Sequence, residues 1–204
     1  MPHDVEKHSH SLLPSDPELK VKALETALIK RGLIDPAALD EIIDTYQNKI
    51  GPKNGATIIA KALLDKDFKK ALISDPMQIL EKHGFLGRQG ENIKVVENTP
   101  EVHNIVVCTL CSCYPWPLLG IPPTWYESDE YRSRVVREPR KCLSDFGVTL
   151  PKDTKVRVWD STAEIRYLVL PILPDKYKDF DKEQLSEIIS RDAMIGTALI
   201  GDPS

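Results

Sequence analysis

Three of the chain's four cysteines stand within six residues, in Val107-Cys108-Thr109-Leu110-Cys111-Ser112-Cys113-Tyr114-Pro115-Trp116-Pro117. That spacing is too tight for a set of disulfides, and three is an odd number for one. It suits several sulfurs converging on one metal ion. Within Cys111-Ser112-Cys113 both sulfurs can bind an ion together with the backbone nitrogens of Ser112 and Cys113. The Cys111 sulfur and the Ser112 nitrogen close a six-membered chelate ring. The Ser112 and Cys113 nitrogens close a five-membered ring, and the Cys113 nitrogen with its own sulfur closes another. Four donors in one plane follow, with a small residue between the cysteines. Cys108 can swing under that plane as a fifth donor. The sixth position stays open, and an open position marks a catalytic rather than a structural site.

Ionised amide nitrogens and thiolates are strong donors. They favour a metal with a firm octahedral or tetragonal preference, such as low-spin cobalt(III) or iron(III), whereas zinc prefers tetrahedral N/S sets. A zinc site would want a second Cys or His pair, and an iron–sulfur cluster a fourth cysteine in the run. The remaining cysteine, Cys142, lies about thirty residues on in a helical pattern and reads as a small buried apolar side chain. His103 shares a strand face with Ile105 and Val107, not with Cys108, and reads as structural.

The cluster needs elements to hold it. A chain of 204 residues can bury a core without disulfide staples. A net charge of -4 carries no basic bias for nucleic acid. No window approaches the eighteen or so apolar residues of a membrane span. The start, Met1-Pro2-His3-Asp4-Val5-Glu6, lacks the basic head and apolar run of a signal peptide, so a cytoplasmic location is expected. Residues 1–15, with His3, His8 and His10, read as a disordered, solvated tail.

Asp16-Pro17-Glu18 and Asp35-Pro36 are helix starts, and Gly32 and Gly51-Pro52 are stops. Val21, Leu24 and Leu28, then Leu39, Ile42, Ile43 and Tyr46, form narrow stripes suited to a partner's seam. Helical patterns continue through Ile58–Leu63, Phe68–Ile73 and Met77–His83. The character changes at Gly84–Gly90. Ile93–Val96, Val102–Val107, Lys155–Trp159 and Arg166–Leu170 are predicted strands, and Asp129–Arg137 and Arg140–Phe146 short helices. Pro115, Pro117, Pro122 and Pro123 are expected to hold their segment away from regular structure. Asp181-Lys182-Glu183-Gln184 is a capping box opening a last helix through Arg191. The pattern predicts an α+β fold: an N-terminal helical arm over residues 1–90 and an α/β metal-binding catalytic domain over residues 91–204.

The segment Cys108-Thr109-Leu110-Cys111-Ser112-Cys113-Tyr114 resembles the metal claw of the nitrile hydratase alpha subunit, cobalt type. Iron-type members carry Ser and Thr where this chain has Thr109 and Tyr114. The resemblance extends through Tyr114-Pro115-Trp116-Pro117, Tyr131 to Arg140, Val158-Trp159-Asp160-Ser161 and Arg191 to Gly196. It implies a trivalent cobalt, one per alpha subunit, held by the sulfurs of Cys108, Cys111 and Cys113 and the backbone nitrogens of Ser112 and Cys113. It implies that Cys111 becomes a sulfinic acid and Cys113 a sulfenic acid. It implies an obligate beta subunit whose arginines meet the oxidised sulfurs, an alpha2beta2 assembly, an activator protein for metal loading, and a layered α-β-β-α domain behind the arm. Gln89, Trp116 and Arg166 match family positions near the site, and Asp160 and Glu164 outer acidic positions. The plainer readings are a core aromatic for Trp116 and strand-face charges for Arg166 and Glu164.

The activity implied is hydration of an organic nitrile to its amide, with the metal as Lewis acid or source of a hydroxide-like nucleophile, or with the Cys113 sulfenate as nucleophile or base. No Ser/His/Asp arrangement is present to nominate. A thiocyanate hydrolase shares the claw, but typically places arginine between the two prolines, where this chain has Trp116, an apolar wall suited to a neutral nitrile. A metal-storage or structural-zinc module is the non-enzymatic alternative. Without its beta chain, this subunit is expected to be inactive.

Overall fold

The computed structural model describes residues 16–87 and 90–202, and the expected tail at 1–15 lies outside them. The chain divides into two compact units, one ending at Ile43 and one beginning at Asp44.

The first unit contributes α1 (Asp16–Lys30) and α2 (Pro36–Asp44). Gly32, at φ +67°, closes α1: its N–H reaches the Ile29 carbonyl at 2.9 Å and that of Leu33 reaches Leu28 at 3.0 Å. This is the left-handed glycine ending that satisfies the last helical carbonyls. Asp35 accepts from the Ala37 N–H at 2.9 Å and opens α2. Leu19, Val21 and Leu24 on α1, and Ile42 and Ile43 on α2, are exposed.

The second unit holds a π-helical segment (Thr45–Ile50), α3 (Lys53–Leu64), α4 (Lys66–Ser74) and α5 (Pro76–Lys82). Asp65 and Asp75 cap α4 and α5 by accepting backbone N–H groups of the first turn. α3 buries Ala56, Ile58, Ile59, Ala60 and Ala62. These three helices, assigned to the arm by their pattern, thus belong to the unit that carries the strands. An apolar face that wide is stable only when covered.

β1 (Ile93–Glu97) pairs in parallel with β4 (Arg166–Leu170), and β2 (Val102–Val107) pairs in parallel with β3 (Lys155–Asp160). β2 and β4 meet between the two small sheets, α4 and α5 lie against β1, and α8 (Pro139–Asp145) lies against β3. The order is helix, sheet, sheet, helix. β2, covered on both sides, buries every residue from His103 to Val107.

Parallel pairing requires a long crossover. Between β2 and β3 it contains the cysteine cluster, α6 (Trp116–Leu119), a 3-10 turn (Thr124–Glu127), α7 (Asp129–Arg137) and α8. The proline-rich segment is therefore partly helical. Proline fits a first helical turn, where its missing N–H costs nothing, and Pro117 occupies that position in α6. The last predicted helix, expected to run through Arg191, stops at Ile188. α9 (Lys182–Ile188) opens with the Asp181–Gln184 capping box, and α10 (Arg191–Ile195) starts anew where the Ser190 hydroxyl accepts from the Ala193 N–H at 3.2 Å.

α10 ends at Gly196, φ +95°, where a Cβ would lie 2.0 Å from the Asn104 oxygen of β2. His103, expected to be structural, fastens the same junction. Its Nε2 donates to the Gly196 carbonyl at 2.7 Å, and its Nδ1 lies 3.3 Å from the Asn98 Nδ2. None of the described helices is long and apolar enough to cross a membrane.

Candidate metal centre

Chemistry in open parallel sheets gathers outside the carboxyl ends of the strands, and the cluster begins where β2 ends. Val107 is in register with Asp160, the last residue of β3, and its carbonyl accepts from the Ser161 N–H at 2.7 Å. Asp160 then turns the chain, accepting from the Thr109 N–H at 2.9 Å and the Thr109 hydroxyl at 2.6 Å. Cys108 is fully buried, Leu110 at the tip is 88 % exposed, and Cys113 returns to the interior.

Aromatic hydroxyls hold the base. Tyr126 donates to the Cys113 carbonyl at 3.1 Å, and Tyr131, on α7, donates to the Val106 carbonyl at 2.6 Å. Burial pushes both phenols well above their ordinary range, so they remain neutral donors. From the next position of α7, the Arg132 Nη2 donates to the Cys111 carbonyl.

The three sulfurs converge within 4.8 Å of one another. Cys111 and Cys113 are 3.2 Å apart, and Cys108 and Cys111 3.5 Å. With metal–sulfur bonds of about 2.3 Å, neighbouring donors of an octahedron lie about 3.3 Å apart and those of a tetrahedron about 3.8 Å. The Cys111–Cys113 separation matches the octahedral edge, and the other falls between the two values. Among the described residues no fourth His, Cys, Asp or Glu joins the group. A closed tetrahedral zinc site therefore does not fit these side chains. A sulfur set completed by backbone nitrogen does.

Cys111 lies below the ordinary thiol range chiefly because the Cys113 thiol donates to it, helped by Cys108 and by the backbone N–H groups of Ser112 and Cys113. The Cys111 N–H in turn donates to the Cys108 sulfur at 3.3 Å. Burial, the largest cause, together with the neighbouring sulfurs pushes Cys113 up to about 12. Cys111 ionises the more readily and Cys113 resists: like charges gathered in a small volume require a cation.

The remaining expected residues are less concentrated. Trp116 begins α6, half-buried, with its ring edge-on to Tyr46 at 5.3 Å. Arg166 is buried, with Nη1 3.2 Å from the carbonyls of Glu91 and Ala163 and 3.6 Å from the Glu91 carboxylate. Glu164 is exposed, and its carbonyl accepts from Asn92 at 2.7 Å. Gln89 lies outside the described residues. Cys142 is buried in α8, as expected. Tyr126 and the roles of Tyr131 and Arg132 escaped the sequence reading, because nothing local to a helix tells which distant carbonyl a side chain meets.

A cavity of about 1050 Å³ lies elsewhere, between α3, Trp125 and the Ser186–Asp192 segment, and no cysteine lines it. A shallower hollow of about 500 Å³ borders the claw, between Thr109 and the Asp129, Arg132, Ser133, Val136 and Arg137 face of α7. The tip of the cluster is open at Leu110 and Cys111, while Cys108 and Cys113 are buried beneath it.

Fold and site together define an α+β protein with a three-sulfur metal claw at the end of a buried parallel strand. The profile of the nitrile hydratase alpha chain family matches residues 15–198. The alpha subunit of a low-molecular-weight cobalt-containing nitrile hydratase from Rhodococcus rhodochrous is 48 % identical, over 91 % of this chain and 89 % of its own. A double mutant of the Fe-type nitrile hydratase from Comamonas testosteroni Ni1 superposes with a TM-score of 0.83 at 36 % identity, covering 92 % of each chain. A recombinant thiocyanate hydrolase comprising partially modified cobalt centres superposes at 0.78 with 36 % identity, over 92 % of this chain and 91 % of that one. The chain belongs to the nitrile hydratase alpha chain family.

Proposed function

We propose that this chain is the metal-carrying alpha subunit of a cobalt nitrile hydratase that hydrates organic nitriles to amides. The observation that carries the reading is the convergence of the Cys108, Cys111 and Cys113 sulfurs within 4.8 Å of one another, with no fourth side-chain donor joining them among the described residues. Those three sulfurs and two backbone nitrogens would hold one trivalent cobalt. When bound, it supplies Lewis acidity towards a nitrile and its attacking water. Cobalt rather than iron is favoured by Thr109 and Tyr114 and by the cobalt-containing relative.

The chain's own residues build the surroundings. Cys111, exposed, and Cys113, buried, are the positions of the sulfinic and sulfenic acids. Ser112 keeps the chelate small and offers its hydroxyl beside it. Trp116 supplies an apolar wall, with Gln89 and Arg166 as supporting residues. The exposed tip of the cluster and the exposed apolar residues of α1 and α2 support an obligate beta subunit that closes the pocket, in an alpha2beta2 assembly loaded by an activator protein. The complex is assigned to the cytoplasm.

The deciding experiment is elemental analysis of the chain co-purified with its beta subunit, followed by nitrile and thiocyanate assays. Cobalt and amide production are expected. Iron would change the metal assignment, faster turnover of thiocyanate would change the substrate, and zinc would remove the catalytic reading.

A further inference from the structure

We propose that Arg132 is a positioning residue for the metal centre: it holds the Cys111–Ser112 peptide in the orientation that turns the Ser112 nitrogen into the claw. This rests on the metal-binding reading of Cys108, Cys111, Ser112 and Cys113.

The Arg132 Nη2 donates to the Cys111 carbonyl across 21 residues of sequence. The Cys111–Ser112 peptide is trans, and a trans peptide sends its carbonyl oxygen and its N–H in opposite directions. Fixing the oxygen outward on Arg132 therefore fixes the nitrogen inward.

The arginine is free to serve this purpose. Among the described residues no carboxylate pairs with it, and its Nε is buried without a partner. Its carrier is rigid. Tyr131 and Val135 of α7 are buried, and the Tyr131 hydroxyl ties the helix to the Val106 carbonyl, two residues before Cys108. One helix thus grips both the strand that delivers the claw and the peptide at its centre. A nitrogen–metal bond moves electron density towards the carbonyl oxygen of the same peptide, where a guanidinium donor is stronger than a neutral one. Supporting contacts of this kind orient the atoms that bind metal.

The test uses the co-expressed alpha/beta complex grown in graded cobalt. Cobalt per alpha chain and the sulfur-to-metal charge-transfer absorption are read for wild type, Arg132→Met, Arg132→Lys and Arg137→Met. Arg132→Met should need about tenfold more cobalt for half-maximal loading, the scale of one charge-assisted hydrogen bond, and its absorption band should move. Arg132→Lys, keeping the charge but not the planar fork, should fall between. Arg137→Met should match wild type, because Arg137 bonds Ser133 on its own helix. Wild-type loading and an unmoved band in Arg132→Met would overturn the proposal. If that complex does not assemble, Arg132→Lys decides by the same two readings. A wild-type complex that takes up no cobalt would instead overturn the metal reading beneath it.

Discussion

Both carboxylate oxygens of Asp160 are engaged by Thr109, one by its backbone N–H at 2.9 Å and the other by its hydroxyl at 2.6 Å. The last residue of one strand thereby sets the first bend after its neighbour, and Cys108 enters the claw from that bend. Charge-assisted bonds are worth about 1.5–3 kcal/mol when shielded, and both residues are exposed, so the expected values are smaller. Asp160→Ala should cost about 1–2 kcal/mol, and Thr109→Val about 0.5–1 kcal/mol because the N–H bond survives. Chemical denaturation of the complex measures both. A double-mutant cycle showing no coupling would refute the clasp.

The two classes of buried cysteine should separate cleanly. Cys108→Ser removes a sulfur from the cluster and should abolish cobalt retention. Cys142→Ala removes a thiol packed in α8 and should cost about 1 kcal/mol with cobalt content unchanged. Cobalt loss in Cys142→Ala would contradict the assignment of the metal to the claw.

Oxidation of Cys111 to a sulfinic acid and Cys113 to a sulfenic acid adds three oxygens, about 48 Da. Intact-mass analysis of aerobically matured chain should show that increment, and peptide mapping should confine it to residues 111–113. Oxygen found on Cys108 or Cys142 would contradict this assignment.

His103 gives a pH dependence unrelated to the metal. The Gly196 carbonyl can only accept, so Nε2 carries the proton and Nδ1 faces the Asn98 amide. Burial, with the nearby Arg140 charge, holds the ring below its ordinary 6.5, against the opposing bond to Gly196. Below about pH 6.5 the unfolded chain therefore gains a proton that the folded chain excludes. Stability should be unaffected by this group above that pH and should fall as the pH drops beneath it. Melting temperatures from pH 7.5 to 5 should show the decline, and His103→Gln should flatten it. An unchanged slope in the variant would assign the decline to other groups.

Much of this was legible in the residues themselves. The chelate rings of Cys111-Ser112-Cys113 are a matter of covalent connectivity. Four strands, the caps at Asp35 and Asp181 and the stop at Gly32 follow from patterns spanning a few residues, where local preference and final structure agree. The sequence failed where a distant element intervened. The predicted last helix ends at Ile188, short of Arg191, because Ser190 caps a new one, and burial of the α3 face places three helices read as arm in the unit that holds the strands. The tertiary structure alone decided which carbonyls meet Tyr126, Tyr131 and Arg132, and that Asp160 closes on Thr109. Those contacts join residues 13 to 51 positions apart. The parallel crossover brings them together, and no spacing rule along the chain encodes it.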